Sequence, residues 1–73
     1  MFSVYDLCAM FTDPNFQSIV IYDVPESGVG KEVFSGTAED AMLSDYRDYE
    51  IQSIDTLPRD LGTLTINICS DPD

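Results

Sequence analysis

The chain has 73 residues, with fourteen Asp and Glu against three Lys and Arg and no His, a formal net charge of −11. That length allows one domain over residues 1–73, and a domain so short buries only about 60% of its unfolded surface, so it needs a dense apolar core or outside help. The charge excludes direct nucleic-acid binding and anionic membrane surfaces, which a negative field repels, and no apolar stretch approaches the ~20 residues that span a bilayer.

The hydrophobic fraction is 44%, with four Phe and four Tyr, which separates the chain from acidic disordered sequences. Met1-Phe2-Ser3-Val4-Tyr5-Asp6 carries neither a basic n-region nor an apolar h-region, so no signal peptide is expected. A first helix is predicted from Ser3 as N-cap, with Asp6 completing a capping box and Phe2 and Leu7 forming a hydrophobic staple. Val4, Leu7, Cys8 and Phe11 fall on one face at helical spacing. Thr12-Asp13-Pro14-Asn15 ends the helix, because a proline pushes the residue before it out of helical geometry.

Phe16 to Asp23 reads as a strand that is apolar on both sides, as a central strand is. Val24 to Gly30, with Pro25, Gly28 and Gly30, is turn chemistry. Gly28-Val29-Gly30-Lys31 lacks the spacing and the following Ser or Thr of a phosphate loop and belongs to that turn. Lys31 to Gly36 returns as the second arm of a hairpin. Thr37 is a second N-cap, with Asp40 at N3 and Ala38, Ala41 and Met42 on one side of a short helix. Tyr49 to Ile54 alternates as a third strand, and Asp55 to Gly62 reads as a loop. Thr63 to Cys69 is the clearest strand: Leu64, Ile66 and Ile68 face one way, Thr65 and Asn67 the other. The tail, residues 70–73, is expected to fray.

The order is αββαββ, and the economical fold is α+β: a four-stranded antiparallel sheet with short helices on one face. Phe16, Tyr22 and Phe34 are expected in the core, while Tyr5, Tyr46 and Tyr49 are the tyrosines least expected to fit inside. A sheet covered on one face leaves the other open. Val20 and Tyr22, with Phe34 as a third candidate, then form an exposed apolar strip of the kind that marks a dimer contact. Self-association is one route to the stability a small core lacks, so a homodimer stays open.

No catalytic constellation survives inspection, and no cofactor is implied. Without His, neither Cys8 nor Cys69 has a base to activate it, and no Cys pair has zinc-ligand spacing. Asp45-Tyr46-Arg47-Asp48-Tyr49-Glu50 has neither the spacing nor the glycine of a calcium loop. Cys8 reads as core and Cys69 as the more exposed thiol. Two distant cysteines without a framework pattern point to a cytoplasm with reduced thiols.

The densest acidic stretch is Glu39, Asp40, Asp45, Asp48 and Glu50, interleaved with Tyr46 and Tyr49 and opposed by Arg47. One reading is a solvated helix end and loop. The other is a partner-facing patch, in which carboxylates imitate phosphates before a basic surface and tyrosines add contact area. Asp55 and Asp60 in one hairpin loop, and Asp23 and Glu26 in the other, are further acidic pairs. They would share one end of the sheet if the hairpins pack side by side.

Leu7 to Asp13, Ile19-Val20-Ile21-Tyr22-Asp23, Glu32-Val33-Phe34-Ser35-Gly36, Tyr49-Glu50-Ile51-Gln52-Ser53-Ile54-Asp55 and Gly62-Thr63-Leu64-Thr65-Ile66-Asn67-Ile68 together cover most of the chain. In these runs it resembles small acidic proteins from phages and mobile elements of Gram-positive bacteria. Its format is similar to that of phage anti-defence proteins, anti-CRISPR inhibitors among them, several of which are acidic DNA mimics. The resemblance implies a non-enzymatic inhibitor in the host bacterial cytoplasm that blocks a basic nucleic-acid-binding site on a host defence protein. Glu39, Asp40, Asp45, Tyr46, Asp48, Tyr49 and Glu50 are the expected contact residues. The alternative is a binding module without mimicry, which captures a small ligand or a protein through a sheet face or edge.

Overall fold

A computed structural model describes residues 1–26, 28–55 and 62–70. In chain order these form helix α1 (Val4–Cys8), a 3-10 turn (Pro14–Phe16), strands β1 (Ser18–Asp23) and β2 (Lys31–Thr37), helix α2 (Ala38–Met42) and strands β3 (Ile51–Asp55) and β4 (Thr63–Ile68). Both helices start where their caps require. The Ser3 hydroxyl accepts from the Asp6 amide at 3.2 Å while the Asp6 carboxylate accepts from the Ser3 amide at 3.0 Å. The Thr37 hydroxyl accepts from the Asp40 amide at 3.2 Å. The Ser3 amide bond is the largest of the causes that hold the Asp6 carboxyl below its ordinary pKa, and the Ser3 hydroxyl comes next.

The sheet is mixed, not antiparallel throughout. Its order is β2-β1-β4-β3. β1 pairs antiparallel with β2, and β3 with β4, but β1 and β4 run parallel, with Ile19 opposite Leu64 and Ile21 opposite Ile66. The physical reason is burial. β1 and β4 carry the fully buried isoleucines, whereas β3 is exposed from Gln52 onward and β2 buries no residue fully. The centre of a sheet goes to its most apolar strands, so β2 and β3 take the edges. Residues 38–50 then carry the chain across the sheet and back along its length, so β3 starts at the end where β2 started. β3 is therefore parallel to β2, and β4 to β1.

One face of this sheet is covered. Ile19, Ile21, Ile66 and Ile68 form a closed cluster with Val4 and Cys8 of α1 and Ala38 and Ala41 of α2, each 0% exposed. Leu7, Phe11, Val33, Phe34, Met42, Ile51 and Leu64 pack around it. The ring of Phe34 lies across Gly36, where an added Cβ would stand 3.1 Å from the ring. Two aromatics depart from the expected core. Phe16 is 82% exposed, because β1 begins only at Ser18 and Phe16 closes the preceding 3-10 turn. Tyr22 is partly buried but alternates with Ile21, which places it on the uncovered face.

Both ends of the β1–β4 pair are stitched. At one end the Gln17 side chain donates to the Gly62 carbonyl at 2.7 Å, while the Gln17 carbonyl accepts from the Ala38 amide at 2.8 Å, so one residue joins β1, β4 and α2. Gly62 itself has φ +104°, a left-handed conformation that glycine adopts without strain. At the other end the Asp23 carboxylate accepts from the Ser70 hydroxyl and, at 3.0 Å, from the Ser70 amide. Ser70, the first residue of the tail expected to fray, makes both of these contacts; Asp71, Pro72 and Asp73 lie outside the described residues. The α1 end is tied to residues 47–51: the Val4 amide donates to the Tyr49 carbonyl, the Tyr5 amide to the Arg47 carbonyl, and the Ile51 amide to the Phe2 carbonyl, at 2.9–3.0 Å.

Two outcomes follow from this packing. Ile21→Ala removes a fully buried side chain and lowers unfolding free energy by about 2–5 kcal/mol, read by urea denaturation. The Ser70 hydroxyl and, second, its amide hold the Asp23 carboxyl below its ordinary value of 3.8. A lowered folded pKa contributes stability above the unfolded value that is lost as pH falls through the folded one. Wild type minus Asp23→Asn stability is therefore expected to be constant above about pH 5 and to shrink below pH 4, in a pair of thermal melts across that range.

Candidate partner-binding surfaces

The acidic stretch runs from the first turn of α2 to the bridge between Glu50 and Ser3. Glu39, Asp40, Asp45, Asp48 and Glu50 are all exposed, and Asp6 of α1 is exposed as well. α1 packs beside α2 and pairs with residues 47–51, so the segments that carry these six carboxylates are joined to one another. Arg47 lies among them, 3.9 Å from Asp48 in a contact open to water that contributes little. The Arg47 guanidinium also donates to the Ser44 carbonyl at 2.9 Å, which holds it against its own turn. The expected acidic contact residues are thus all exposed, on α2 and on the segment that follows it.

The two tyrosines do not stand among them as free anchors. Tyr46 and Tyr49 are partly buried and pack on the core, edge to face, with ring centroids 5.7 Å apart. The Ser44 hydroxyl shapes the turn that sends them inward, donating to the Ala41 carbonyl at 2.7 Å and accepting from the Tyr46 amide at 3.2 Å. Tyr5 is the more available ring, at 49% exposure.

The second surface is the face of the sheet that no helix covers. Registers across the four strands place its residues in rows. Ser35 of β2, Val20 of β1, Thr65 of β4 and Asp55 of β3 form one row. Glu32, Tyr22, Asn67 and Ser53 form the next, in which the Asn67 amide donates to the Ser53 hydroxyl at 3.1 Å. Thr37, Ser18 and Thr63 lie on the far side of the first row. This face forms an open concavity of about 710 Å³. Val20 and Tyr22 are its apolar centre; Phe34, the third candidate for that strip, lies on the opposite, covered face. The hydroxyl lining was not singled out from the sequence. Its trace was the polar half of β4, Thr63, Thr65 and Asn67, but which residues of other strands stand beside them depends on register.

The hairpin acids do not meet. Because β1 and β4 are parallel, the turn with Asp23 and Glu26 lies at one end of the sheet and the β3–β4 connection at the other. Asp55 belongs to β3, not to a loop, and Asp60 lies outside the described residues. Among the described residues no group of three or more His, Cys, Asp or Glu is placed to hold a metal ion, and no helix is long and apolar enough to cross a membrane. Cys8 and Cys69 are free thiols; Cys8 is fully buried, and desolvation pushes its pKa up to about 11. A thiol so disfavoured as thiolate is a packing group, not a nucleophile.

No family model, no curated protein and no solved structure matches the chain.

The division between structural tyrosines and solvated acids has a direct consequence. Tyr46→Ala is expected to lower stability by about 2–4 kcal/mol, whereas Asp48→Ala changes it by less than about 0.5 kcal/mol. Chemical denaturation of the two variants beside wild type measures both.

Proposed function

We propose that the chain is an acidic binding protein that occupies the cationic nucleic-acid-binding site of a partner protein and competes there with nucleic acid, as a phage-type anti-defence inhibitor does. The observation that supports this reading is the exposure of Asp6, Glu39, Asp40, Asp45, Asp48 and Glu50, on α1, α2 and the segment that pairs with α1, with Arg47 among them. Duplex DNA presents one charge per ~1.7 Å of axis, and a protein that binds it sets Lys and Arg to match. A body with net charge −11 approaches such a site along the same field that draws DNA. The carboxylates are already solvated, so the rim of the contact keeps its hydration and loses little on docking. Tyr5 supplies an exposed ring beside them, while Tyr46 and Tyr49 keep the backbone beneath them rigid. On this reading the protein works in a bacterial cytoplasm, with Cys8 and Cys69 reduced, and performs no chemistry on its partner.

A second reading is favoured by the uncovered, concave sheet face: a module that captures a ligand there without mimicry. Val20→Asp or Tyr22→Asp abolishes function in that case, while changes on the helical layer do little.

The test immobilises the protein, exposes it to bacterial lysate and challenges the bound fraction with short duplex DNA at stepped salt. Competition requires that DNA release the captured protein, that retention fall steeply with salt, and that Asp45→Lys with Asp48→Lys weaken capture by at least about tenfold. Capture indifferent to DNA and to both charge reversals overturns it.

A further inference from the structure

The uncovered sheet face carries its polar groups in a pattern that selects a ligand. The registers set Thr37, Ser18 and Thr63 side by side across β2, β1 and β4, a row of three hydroxyls. Adjacent strands stand about 4.8 Å apart, and the next row on the same face lies about 6.8 Å further along them. That second row is Ser35, Val20 and Thr65, two hydroxyls on either side of an apolar centre. In the third row Tyr22 stands between Glu32 and Asn67. All three rows line one open concavity of about 710 Å³, within the range that holds small ligands.

A hydroxyl donates one hydrogen bond, accepts two and rotates to suit its partner. The Thr37 hydroxyl already accepts from the Asp40 amide, and the Asn67 amide already donates to Ser53. The hydroxyls of Ser18, Ser35, Thr63 and Thr65 bond no other group among the described residues. The face therefore offers donors and acceptors on the same atoms, around an apolar strip. A polyhydroxyl ligand answers both, because each of its alcohols also donates and accepts. The C–H faces of its rings suit Val20 and Tyr22, an aromatic face being electron-rich. An extended peptide is a poorer match, since it joins a sheet at an edge through its backbone. A phosphate ester or other anion meets Glu32 and a net charge of −11.

Resting on the second reading above, the geometry points to a binding site for a neutral oligosaccharide of about three pyranose rings, lying across the strands. The strand spacing is close to the advance of one ring in a 1,4-linked chain, so three rings match three strands. The central ring covers Val20 and Tyr22 on β1. Its neighbours lie over β2 and β4, where Ser35 on one side and Thr65 and Asn67 on the other meet their hydroxyls.

The experiment titrates the isotope-labelled chain with cellotriose at physiological ionic strength and follows backbone amide shifts. Expected are saturable shifts centred on Val20, Tyr22, Ser35 and Thr65, with half-saturation on the order of 1 mM. Thr65→Val keeps the shape of the side chain and removes its hydroxyl, and should weaken binding about threefold to tenfold. Tyr22→Ala, which removes the ring, should weaken it by about tenfold. Spectra of the free variants confirm that the fold is kept. Asp45→Asn with Asp48→Asn should change it less than about twofold, because exposed charges beyond a Debye length of ~8 Å are screened. Trigalacturonate, of the same length with a carboxylate on each ring, should leave these amides unmoved. An equal response to trigalacturonate, unaltered binding by both sheet-face variants, or shifts spread over residues 39–50 would overturn the site. If only the cationic trimer of glucosamine moves the sheet-face amides, charge selects the ligand: the saccharide inference falls and the sheet-face reading stands. If no trimer moves them, the inference falls, and Tyr22→Asp decides the reading beneath it: that reading stands if this variant abolishes capture from lysate and falls if capture persists.

Discussion

The parallel pairing of β1 with β4 is the constraint on which the rest of this fold depends. It joins segments 45 residues apart, and it places the four fully buried isoleucines side by side on one face. Without it each hairpin is a two-stranded ribbon with a half-exposed apolar side, marginal by itself in water. The pair is secured at both ends by polar groups, Gln17 at one and Asp23 with Ser70 at the other. Those contacts sit at the surface, where they register the strands without burying an unpaired donor or acceptor. No described side chain leaves a buried polar atom without a hydrogen-bond partner.

The same pairing divides the surface into two chemically different halves. α2 and the turns after it must travel from one sheet edge to the other, and they do so over the face that carries the isoleucines. That route brings residues 39–50 beside α1, with their charged side chains exposed. The opposite face is left to hydroxyls, one amide, the carboxylates of Glu32 and Asp55 and the Val20–Tyr22 pair. Among the described residues eight are fully closed, and Tyr46 and Tyr49 turn inward as walls against that cluster.

Much of this was legible from residue order. The capping box of Ser3 with Asp6, the cap residue Thr37, the stripe of Val4 and Cys8, and the alternation Leu64, Ile66, Ile68 against Thr65, Asn67 are local patterns. They arise from helix and strand periodicity within a few residues, and the structure places each where that periodicity requires. Strand ends moved by one or two positions; β1 starts at Ser18, which left Phe16 outside. Tyr46 and Tyr49 were harder, since an aromatic beside acids reads equally as anchor or as wall, and the choice depends on how much core lies beneath.

Composition and spacing thus settled the kinds of element, their apolar sides and the sign of the surface, because each of these is a property of neighbours along the chain. Strand direction in the centre of the sheet was another matter. It came from a competition among four strands for two buried places, won by the most apolar, and from the path that residues 38–50 had to take between the losers. Register across those strands then decided which hydroxyls share a face with Glu32 and Asp55, a relation between residues that lie far apart in the chain and meet only once the isoleucines have closed together.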